Sequence, residues 1–392
     1  MRFLKIFLPI LFMAFLAVSS VQVARHLPMP PTGLVGQKYA GFSGVLQIWY
    51  PENLSENFGS AAAWVGGVAS TFEKNNPGVY IHLTAVPPER LLRAADAAQP
   101  PDMILFSPGD AGAAGLLPIS VDAALLPAFR RAGDADGGRY AVPVAAGGYV
   151  LAAFGEPPED LTALPEGSVG LPEGGEMALA ALCERYAVQR AAGRTIAAPD
   201  IGLTAVATPE PTPAPVTGTS LRAESLRAGT ETELYAALLN GEIRALALTE
   251  RQVSRIRAGQ ADGKYGDVRF LNAAGYTDRL LFMAIVDTRR ADTDARAALC
   301  EDFIALLLTG DAQAHLAGRG LFPTAMVDAL YAGVSGMEQP EAALRRSDCV
   351  VRGAFEPPVS VDFAALISGE RSARELMREL RNGRQRLRNS LP

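Results

Sequence analysis

The sequence predicts an α/β protein with two hydrophobic cores and mostly parallel sheets, on the basis of three observations. The chain has 392 residues, of which 49% are hydrophobic and 20% charged, and this is enough for two cores rather than one. After residue 43, short apolar runs alternate with segments of helical periodicity. Several runs are apolar throughout and are joined by short connections, which is typical of parallel strands covered on both faces.

The first 24 residues have the layout of an export signal. Arg2 and Lys5 precede an apolar run from Ile6 to Val18, and a weaker apolar tail extends this run to Ala24. The whole run is close to the ~20 residues that a membrane-spanning helix needs. We therefore predict export to the extracytoplasmic face of the membrane, the periplasm or the cell surface. A cleaved signal peptide and a retained anchor both remain open.

The next segments are predicted in chain order. Residues 25–43 are rich in proline and glycine and predict a linker. The folded part then follows the order strand, helix, strand, helix, strand. These five elements correspond to the segments "GVLQIWY", "SAAAWVGGVASTFEKN", "VYIHLTAV", "PPERLLRAADAA" and "DMILF". In the first helix, Ala61, Trp64, Val65, Val68 and Phe72 share the face that we expect to be buried.

The second half of the chain repeats these patterns with longer interruptions. Two extended pieces flank Gly147-Gly148 in "RYAVPVAAGGYVLAAF", and a helix is predicted around Ala178 to Ala192. The low-complexity "ATPEPTPAPVTGT" predicts a surface loop, because it cannot form a packed element. "TETELYAALLNGEIRALAL" then predicts a helix and a strand, "RLLFMAIVD" a further strand, and "FIALLLTGDAQAHLAGRGLFPT" two helices followed by a sharp change of direction.

Three cysteines argue against a framework of disulfides. An exported protein held together by disulfides normally carries an even and denser set. Cys183 and Cys300 lie on apolar helical faces and are interpreted as small buried residues. A disulfide between Cys183 and Cys349 is the alternative that the count leaves open.

The ordered segments resemble an extracellular solute-binding protein of an ABC importer, of the maltose-binding type. The segments that carry the resemblance are "GVLQIWY", "VASTFEKNNPGVYIHL", "PPDMILFSPGDAGAAGLLPIS", "GRYAVPVAAGGYVLAAF", "LLNGEIRALALTERQ" and the late helix pair with its proline exit. Together they cover most of the chain from residue 44 to residue 324. The sequence departs from the family in lacking a lipobox cysteine and in having two tryptophans.

The resemblance implies a two-lobe periplasmic-binding-protein-like fold of type II, with a mostly parallel sheet in each lobe and an N-terminal signal or anchor helix. It implies lobe 1 over residues 44–143 and 268–324, and lobe 2 over residues 144–267 and 325–392. It also implies a monomeric receptor that captures a small solute, a carbohydrate foremost, for ABC permease subunits. An uncleaved N-terminal segment would add the membrane as a partner.

Ligands of open α/β sheets bind outside the carboxyl ends of the strands. The residues that follow or flank strands there, and that we predict to bind the solute, are Trp49, Tyr50, Ser107, Asp110, Tyr149, Glu250 and Tyr276. Aromatic faces suit sugar rings, and carboxylates accept hydrogen bonds from hydroxyl groups. Core packing is the alternative interpretation for Trp49, and a solvated helix start is the alternative for Glu250.

Other function classes find less support in the sequence. The formal net charge of −6 and the lack of a basic stripe argue against a nucleic-acid partner. No hydrolase, metalloprotease or phosphate-loop motif is present, so we predict no enzyme activity and no cofactor. His26, His82 and His315 are isolated and predict no metal site. A membrane-tethered sensory or interaction module of the same fold is the second hypothesis, and an exported glycan-active enzyme is the third.

Overall fold

The computed structural model describes residues 42–156, 164–172, 226–273 and 275–356, together with Glu375 and Arg378. Its strands are β1 (Gly44–Pro51), β2 (Val79–Val86), β3 (Met103–Phe106), β4 (Leu116–Leu117), β5 (Asp134–Ala135), β6 (Gly138–Arg139), β7 (Val142–Ala146), β8 (Tyr149–Phe154), β9 (Val169–Pro172), β10 (Leu226–Gly229), β11 (Ala245–Thr249), β12 (Val268–Ala273), β13 (Tyr276–Thr277), β14 (Leu280–Val286) and β15 (Val350–Val351). Its α-helices are α1 (Leu54–Phe58), α2 (Ala61–Asn75), α3 (Pro88–Leu91), α4 (Glu231–Leu239), α5 (Glu250–Ala261), α6 (Thr293–Leu307), α7 (Gly310–Ala314) and α8 (Glu338–Leu344).

The first sheet has the strand order β2-β1-β3-β14-β4, and β7 also pairs with β14. Strand β1 runs parallel to β2 over eight residue pairs and parallel to β3, which confirms the predicted parallel βαβ units. Strand β14 enters antiparallel to β3, β4 and β7. We call this sheet and the helices packed on it the first lobe.

The second sheet has the strand order β10-β9-β11-β8-β12 and repeats the plan of the first. Strand β9 is parallel to both β10 and β11, and β8 is antiparallel to β11 and to β12. In each sheet, therefore, the strand that the chain enters from the other sheet, β14 or β8, runs antiparallel to its parallel neighbours. We call this sheet and its helices the second lobe. The two-lobe α/β architecture is as predicted.

Strand pairing corrects the predicted lobe boundaries at two places. Residues 268–273 were assigned to lobe 1, but β12 pairs with β8 and so belongs to the second sheet. The chain returns to the first sheet only at Leu280, the first residue of β14. The boundary at residues 143/144 falls inside β7, which pairs with β14 through Ala146. An apolar strand could belong to either sheet, because its own sequence does not determine which strand it pairs with.

The predicted face of α2 is buried in the core of the first lobe. All five residues of that face are less than 9% exposed, and Phe72 meets Phe303 of α6 edge to face with ring centroids 5.4 Å apart. Two details differ from prediction. The side chain of Val45 in β1, which the apolar run predicts to be buried, is 46% exposed. The helix predicted after β2 is only the four-residue α3, followed by a 3-10 turn at Ala94–Asp96.

The late helix pair is fixed to the first lobe by buried hydrogen bonds. The indole N–H of Trp64 donates to the carbonyl of Ala312 at 2.9 Å. The amide of Gln313 has no solvent exposure; its nitrogen donates to two carbonyls and its oxygen accepts from the N–H groups of Thr324 and Ala325. Gly320 has a φ of 73°, which turns the chain toward the pairing of Phe322 with Ala146. The two late helices and the sharp change of direction after them are therefore as predicted.

Several predictions fall outside the described residues. These are the signal or anchor at residues 1–24, most of the linker, the helix around Ala178 to Ala192, the low-complexity loop and the Cys183 half of the alternative disulfide. Among the helices that are described, none combines the length and apolar character needed to cross a bilayer.

Candidate functional site

In both sheets, the carboxyl ends of the parallel strands lie where the chain crosses from one sheet to the other. In the first lobe β3 ends at Phe106, and the pairing of Phe282 with Phe106 places the start of antiparallel β14 at the same edge. In the second lobe β11 ends at Thr249, directly opposite Tyr149, where β8 begins. The crossing at Gly147-Gly148 and the crossing through residues 275–279 therefore lie beside both edges. We call this region the crossing edge.

A tight turn after β3 brings Asp110 to the crossing edge. The N–H of Ser107 donates to the Asp110 carboxylate at 3.2 Å, and the N–H of Asp110 donates back to the carbonyl of Ser107 at 3.0 Å. Gly109 has a φ of 88° and donates to the carbonyl of Ala354 at 2.8 Å. A Cβ at Gly109 would lie 2.8 Å from Arg352 Nη2. A glycine is required here by both the backbone angle and the close approach.

Asp110 and Arg352 place an acceptor and a donor in the same part of this edge. Burial raises the pKa of the Asp110 carboxyl, and this effect outweighs the hydrogen bonds from Ser107 and the charge of Arg352, which lower it. Arg352 Nη2 donates to the carbonyl of Glu356 at 3.0 Å. Within the described part of the chain, Arg352 Nε is buried without a hydrogen-bond partner. A polar solute with both hydroxyl and carbonyl-type groups fits such a pair.

Tyr149 joins the start of β8 to the second crossing. Its hydroxyl donates to the Asp278 carboxylate at 2.7 Å. Burial raises the pKa of Tyr149 well above its usual range, and the neighbouring charge of Asp278 raises it further. The tyrosine is therefore a neutral hydrogen-bond donor at neutral pH.

A buried ion pair lies between the two crossings. Arg279 donates to both oxygens of the Glu250 carboxylate, from Nε at 2.8 Å and from Nη2 at 2.7 Å. The Glu250 carboxylate also accepts from the N–H of Gly148 at 2.9 Å. Burial alone would lower the pKa of Arg279, but the adjacent Glu250 raises it above its ordinary value. A Cβ at Gly147 would lie 2.6 Å from Glu250 Oε2, so the pair requires glycine there.

The structure separates the seven predicted site residues into three groups. Three lie partly exposed at the crossing edge, and these are Ser107, Asp110 and Tyr149. Tyr50 is partly exposed and packs against the core on the α2 side. The buried ones are Trp49 at 6% exposure, Tyr276 at 4% and Glu250 at 2%.

The prediction that Trp49 faces the cleft is wrong. Its indole packs in the hydrophobic core with Val86, Leu91 and Ile104, and the guanidinium of Arg90 lies 4.7 Å from the ring centroid. The alternative interpretation, core packing, describes this residue. Glu250 fits neither of its interpretations, because its carboxylate is neither solvated nor open to a ligand but bound to Arg279.

Four residues that contact or adjoin the site were not predicted from the sequence: Arg251, Asp278, Arg279 and Arg352. Most of the predicted residues follow strands, and this choice suits parallel strands only; Tyr149 and Tyr276 are the exceptions. An antiparallel strand begins where its parallel neighbours end, so the residues before β14 reach the same edge. The available signal was the charged pair Asp278-Arg279 immediately before a wholly apolar strand. Among the described residues, no cluster of three or more His, Cys, Asp or Glu side chains is arranged to hold a metal ion.

Comparison with known proteins identifies the fold. No family model matches the sequence, and no curated protein matches it significantly. Solved structures similar to the chain include a probable secreted solute-binding lipoprotein from Streptomyces coelicolor (13% identity, 87% of this chain and 98% of that chain, TM-score 0.54). Similar as well is a chitin oligosaccharide binding protein (14% identity, 88% of this chain and 98% of that chain, TM-score 0.50). A third is the cyclic alpha-maltosyl-1,6-maltose binding protein from Arthrobacter globiformis (12% identity, 86% of this chain and 97% of that chain, TM-score 0.50). The chain thus has the two-lobe fold seen in these solute-binding proteins.

Proposed function

We propose that the protein is an extracytoplasmic receptor that captures a small solute between its two lobes and delivers it to an ABC importer. The proposal is supported by the two-lobe fold shared with solute-binding proteins, together with partly exposed Ser107, Asp110 and Tyr149, which follow β3 or begin β8. Structures of the same fold are named as binding chitin oligosaccharides and a cyclic maltosyl-maltose. A carbohydrate is therefore the leading solute class.

The chemistry of the edge supports a polyhydroxyl ligand. A sugar hydroxyl donates one hydrogen bond and accepts others. Asp110 supplies an acceptor, the partly exposed Arg352 is the donor residue beside it, and Tyr149 adds a partly exposed aromatic ring. Trp49 is not available for stacking on a ring, because the core encloses it. Recognition by hydrogen bonds with little stacking is the consequence.

A thermal-shift screen across sugars, amino acids, peptides and anions tests this proposal. A solute at 100 times its dissociation constant adds about 2.7 kcal/mol of stability to the folded state. We expect a carbohydrate to raise the melting temperature of the wild type and to raise that of Asp110→Asn much less. Asp262→Asn, a change of the same kind at the exposed end of α5, should keep the full response. A broad screen without any response, or an undiminished response in Asp110→Asn, would contradict the proposal.

Export is the second part of the proposal. Deletion of residues 1–24 should leave the protein inside the cell, because this segment carries the only signal-like layout in the sequence. Fractionation of the full-length and truncated proteins measures this. N-terminal sequencing of the exported form then distinguishes a cleaved signal peptide from a retained anchor. Secretion of the truncated form would contradict the assignment.

A sensory or interaction module of the same fold is the second candidate function. The burial of Trp49 and Tyr276 favours it, because two of the four aromatic residues predicted for the site have no open face. A neighbouring permease gene would support transport, and a neighbouring sensor-kinase gene would support the module.

A further inference from the structure

Helix α1 of the first lobe is held by two arginines that lie outside that lobe. Arg251, at the start of α5 in the second lobe, donates from Nη1 to the carbonyl of Ser55 at 2.8 Å and also to the carbonyl of Glu56. Arg279, in the second crossing, donates from Nη2 to the carbonyl of Asn57. Three consecutive backbone carbonyls of one helix therefore accept from two guanidinium groups.

These carbonyls are the groups that a short helix leaves without partners. The last carbonyls of a helix have no intrahelical donor, and together they carry partial negative charge that favours a nearby cation. Helix α1 has five residues, Leu54–Phe58, so almost all its carbonyls are of this kind. Gly59 satisfies one of them by donating to Ser55. Arg251 adds a donor to Ser55 and supplies one to Glu56, and Arg279 supplies one to Asn57, so groups outside the first lobe complete the end of this helix.

Arg279 is oriented for this contact by the buried ion pair. Its Nε and Nη2 are bound to Glu250, and its guanidinium lies 5.4 Å from the ring centroid of Phe58. Glu250 is itself fixed by Gly148 in the first crossing. A chain of contacts therefore joins both crossings to α1, while Arg251 reaches the same helix from α5.

From this geometry we propose that Arg251 and Arg279 form an interlobe latch, which stabilises the closed arrangement by capping α1. The latch rests on the proposed function in one respect: closure is useful because it retains a solute. Arg251 and Arg279 are positioning residues in this scheme, since they act through the lobes and need not touch the solute. Loss of the latch shifts the equilibrium toward open lobes, and the affinity for solute falls by the same factor as the closed population.

The distance between the lobes tests the latch without any solute. Spin labels at Lys74→Cys in α2 and Lys264→Cys after α5 place one exposed probe on each lobe of the full chain. Cys300 and Cys349 are buried, and Cys183 is replaced by serine. We expect Arg251→Ala to reduce the ratio of closed to open molecules about tenfold, the effect of losing hydrogen bonds from one charged group.

Two variants separate capping from simple charge attraction. Arg255→Ala removes the same charge from an exposed position one turn later in α5 and should leave the distances unchanged. Glu56→Gln removes the nearby carboxylate but keeps the carbonyl that Arg251 contacts, and it should also leave them unchanged. Because Arg251→Ala keeps the buried Glu250–Arg279 pair, it should fold as the wild type does.

The result that would overturn the latch is a distance distribution in Arg251→Ala identical to that of the wild type. Equal opening in Glu56→Gln or Arg255→Ala would also overturn it, since long-range charge would then be responsible. These measurements are independent of the solute screen. A latch that opens in a protein without any solute response would leave the latch standing and reject the receptor function.

Discussion

Two buried carboxylates in this molecule have the same local chemistry and different surroundings. Asp102 in the first lobe accepts from the N–H of Gln47 at 2.8 Å and from Arg296 at 2.9 Å. Glu250 likewise accepts from one backbone N–H and one arginine. All partners of Asp102 belong to the first lobe, whereas those of Glu250 lie in the two crossings. The same pairing therefore consolidates a core in one place and couples two lobes in the other.

The contrast shows that burial alone does not identify function. A carboxylate that loses its partners in a core destabilises one folding unit. A carboxylate at a crossing also controls the orientation of the units on either side, because its arginine continues to α1. The two sites should consequently respond differently when stability and lobe distance are measured on the same variants.

The largest expected effect is on stability at Asp102. Asp102→Ala leaves Arg296 and the N–H of Gln47 without their buried acceptor, so we expect the free energy of unfolding to fall by about 3–5 kcal/mol. Urea denaturation followed by tryptophan fluorescence measures this, since Trp49 and Trp64 both lie in the first lobe. The lobe distance should not change.

Asp292→Ala is the matched control, because the exposed Asp292 also binds Arg296, at 2.8 Å. Its effect should be a small fraction of that of Asp102→Ala. Equal losses in the two variants would show that the burial of Asp102 contributes nothing, and the first half of the comparison would fail.

A smaller loss of stability with a change of lobe distance is expected at Glu250. Glu250→Gln keeps the shape but loses the charge and one acceptor for Arg279, and we expect a loss of about 2 kcal/mol. Since Arg279 is then less firmly oriented toward α1, the spin-label distance should increase. Glu250→Gln with a wild-type distance and reduced stability would make this site equivalent to Asp102.

The smallest expected effect is a pH-dependent gain at Asp110. Burial raises the pKa of this carboxyl in the folded state above its usual 3.8, so the folded protein binds the proton more tightly than the unfolded chain does. Stability therefore falls as the pH rises through that raised pKa, and the ionised carboxylate destabilises the fold at neutral pH. We expect Asp110→Asn to be more stable than the wild type at pH 7. The gain should be less than about 1 kcal/mol, because the Asp110 carboxylate is only partly buried and solvent screens its charge.

Melting temperatures of both proteins between pH 3 and pH 7 measure this difference. The advantage of Asp110→Asn should disappear at pH values below the usual aspartate pKa, where both side chains are neutral. An advantage that persists there would assign the gain to packing instead of charge. A residue that lowers stability but is needed for the solute response would be a binding residue by both criteria.

Much of the fold follows from local sequence patterns. Wholly apolar runs identified β3 and β14, and helical spacing identified the buried face of α2. The sharp change of direction after the late helix pair was also predicted correctly, because the backbone conformation of Gly320 at that turn is a local property. Membership of β12 in one sheet or the other is not local, and it was predicted wrongly.

The candidate site was less predictable for two physical reasons. Ile48 and Trp49 are neighbours on opposite faces of β1 and both are buried, so alternation does not show which side chains point to a core and which to a ligand. Arg251 and Arg279 donate to backbone carbonyls of α1, which is about 200 residues away from both in the sequence, and no sequence pattern indicates such an acceptor. Ser107 and Asp110 follow β3 directly and are partly exposed, so their position could be predicted, and their role in binding stays a prediction.

The buried amide of Gln313 has a consequence for exchange with solvent. Its oxygen covers the N–H groups of Thr324 and Ala325, and its nitrogen is bound to Val144 and Leu307. These two N–H groups meet water only when α7 separates from the first sheet. In deuterium oxide their protons should be among the last to be replaced, and the rate of replacement measures how often α7 separates from the first sheet. Glutamate has no N–H to offer Val144 or Leu307, so a single deamidation would convert this slow opening into a fast one.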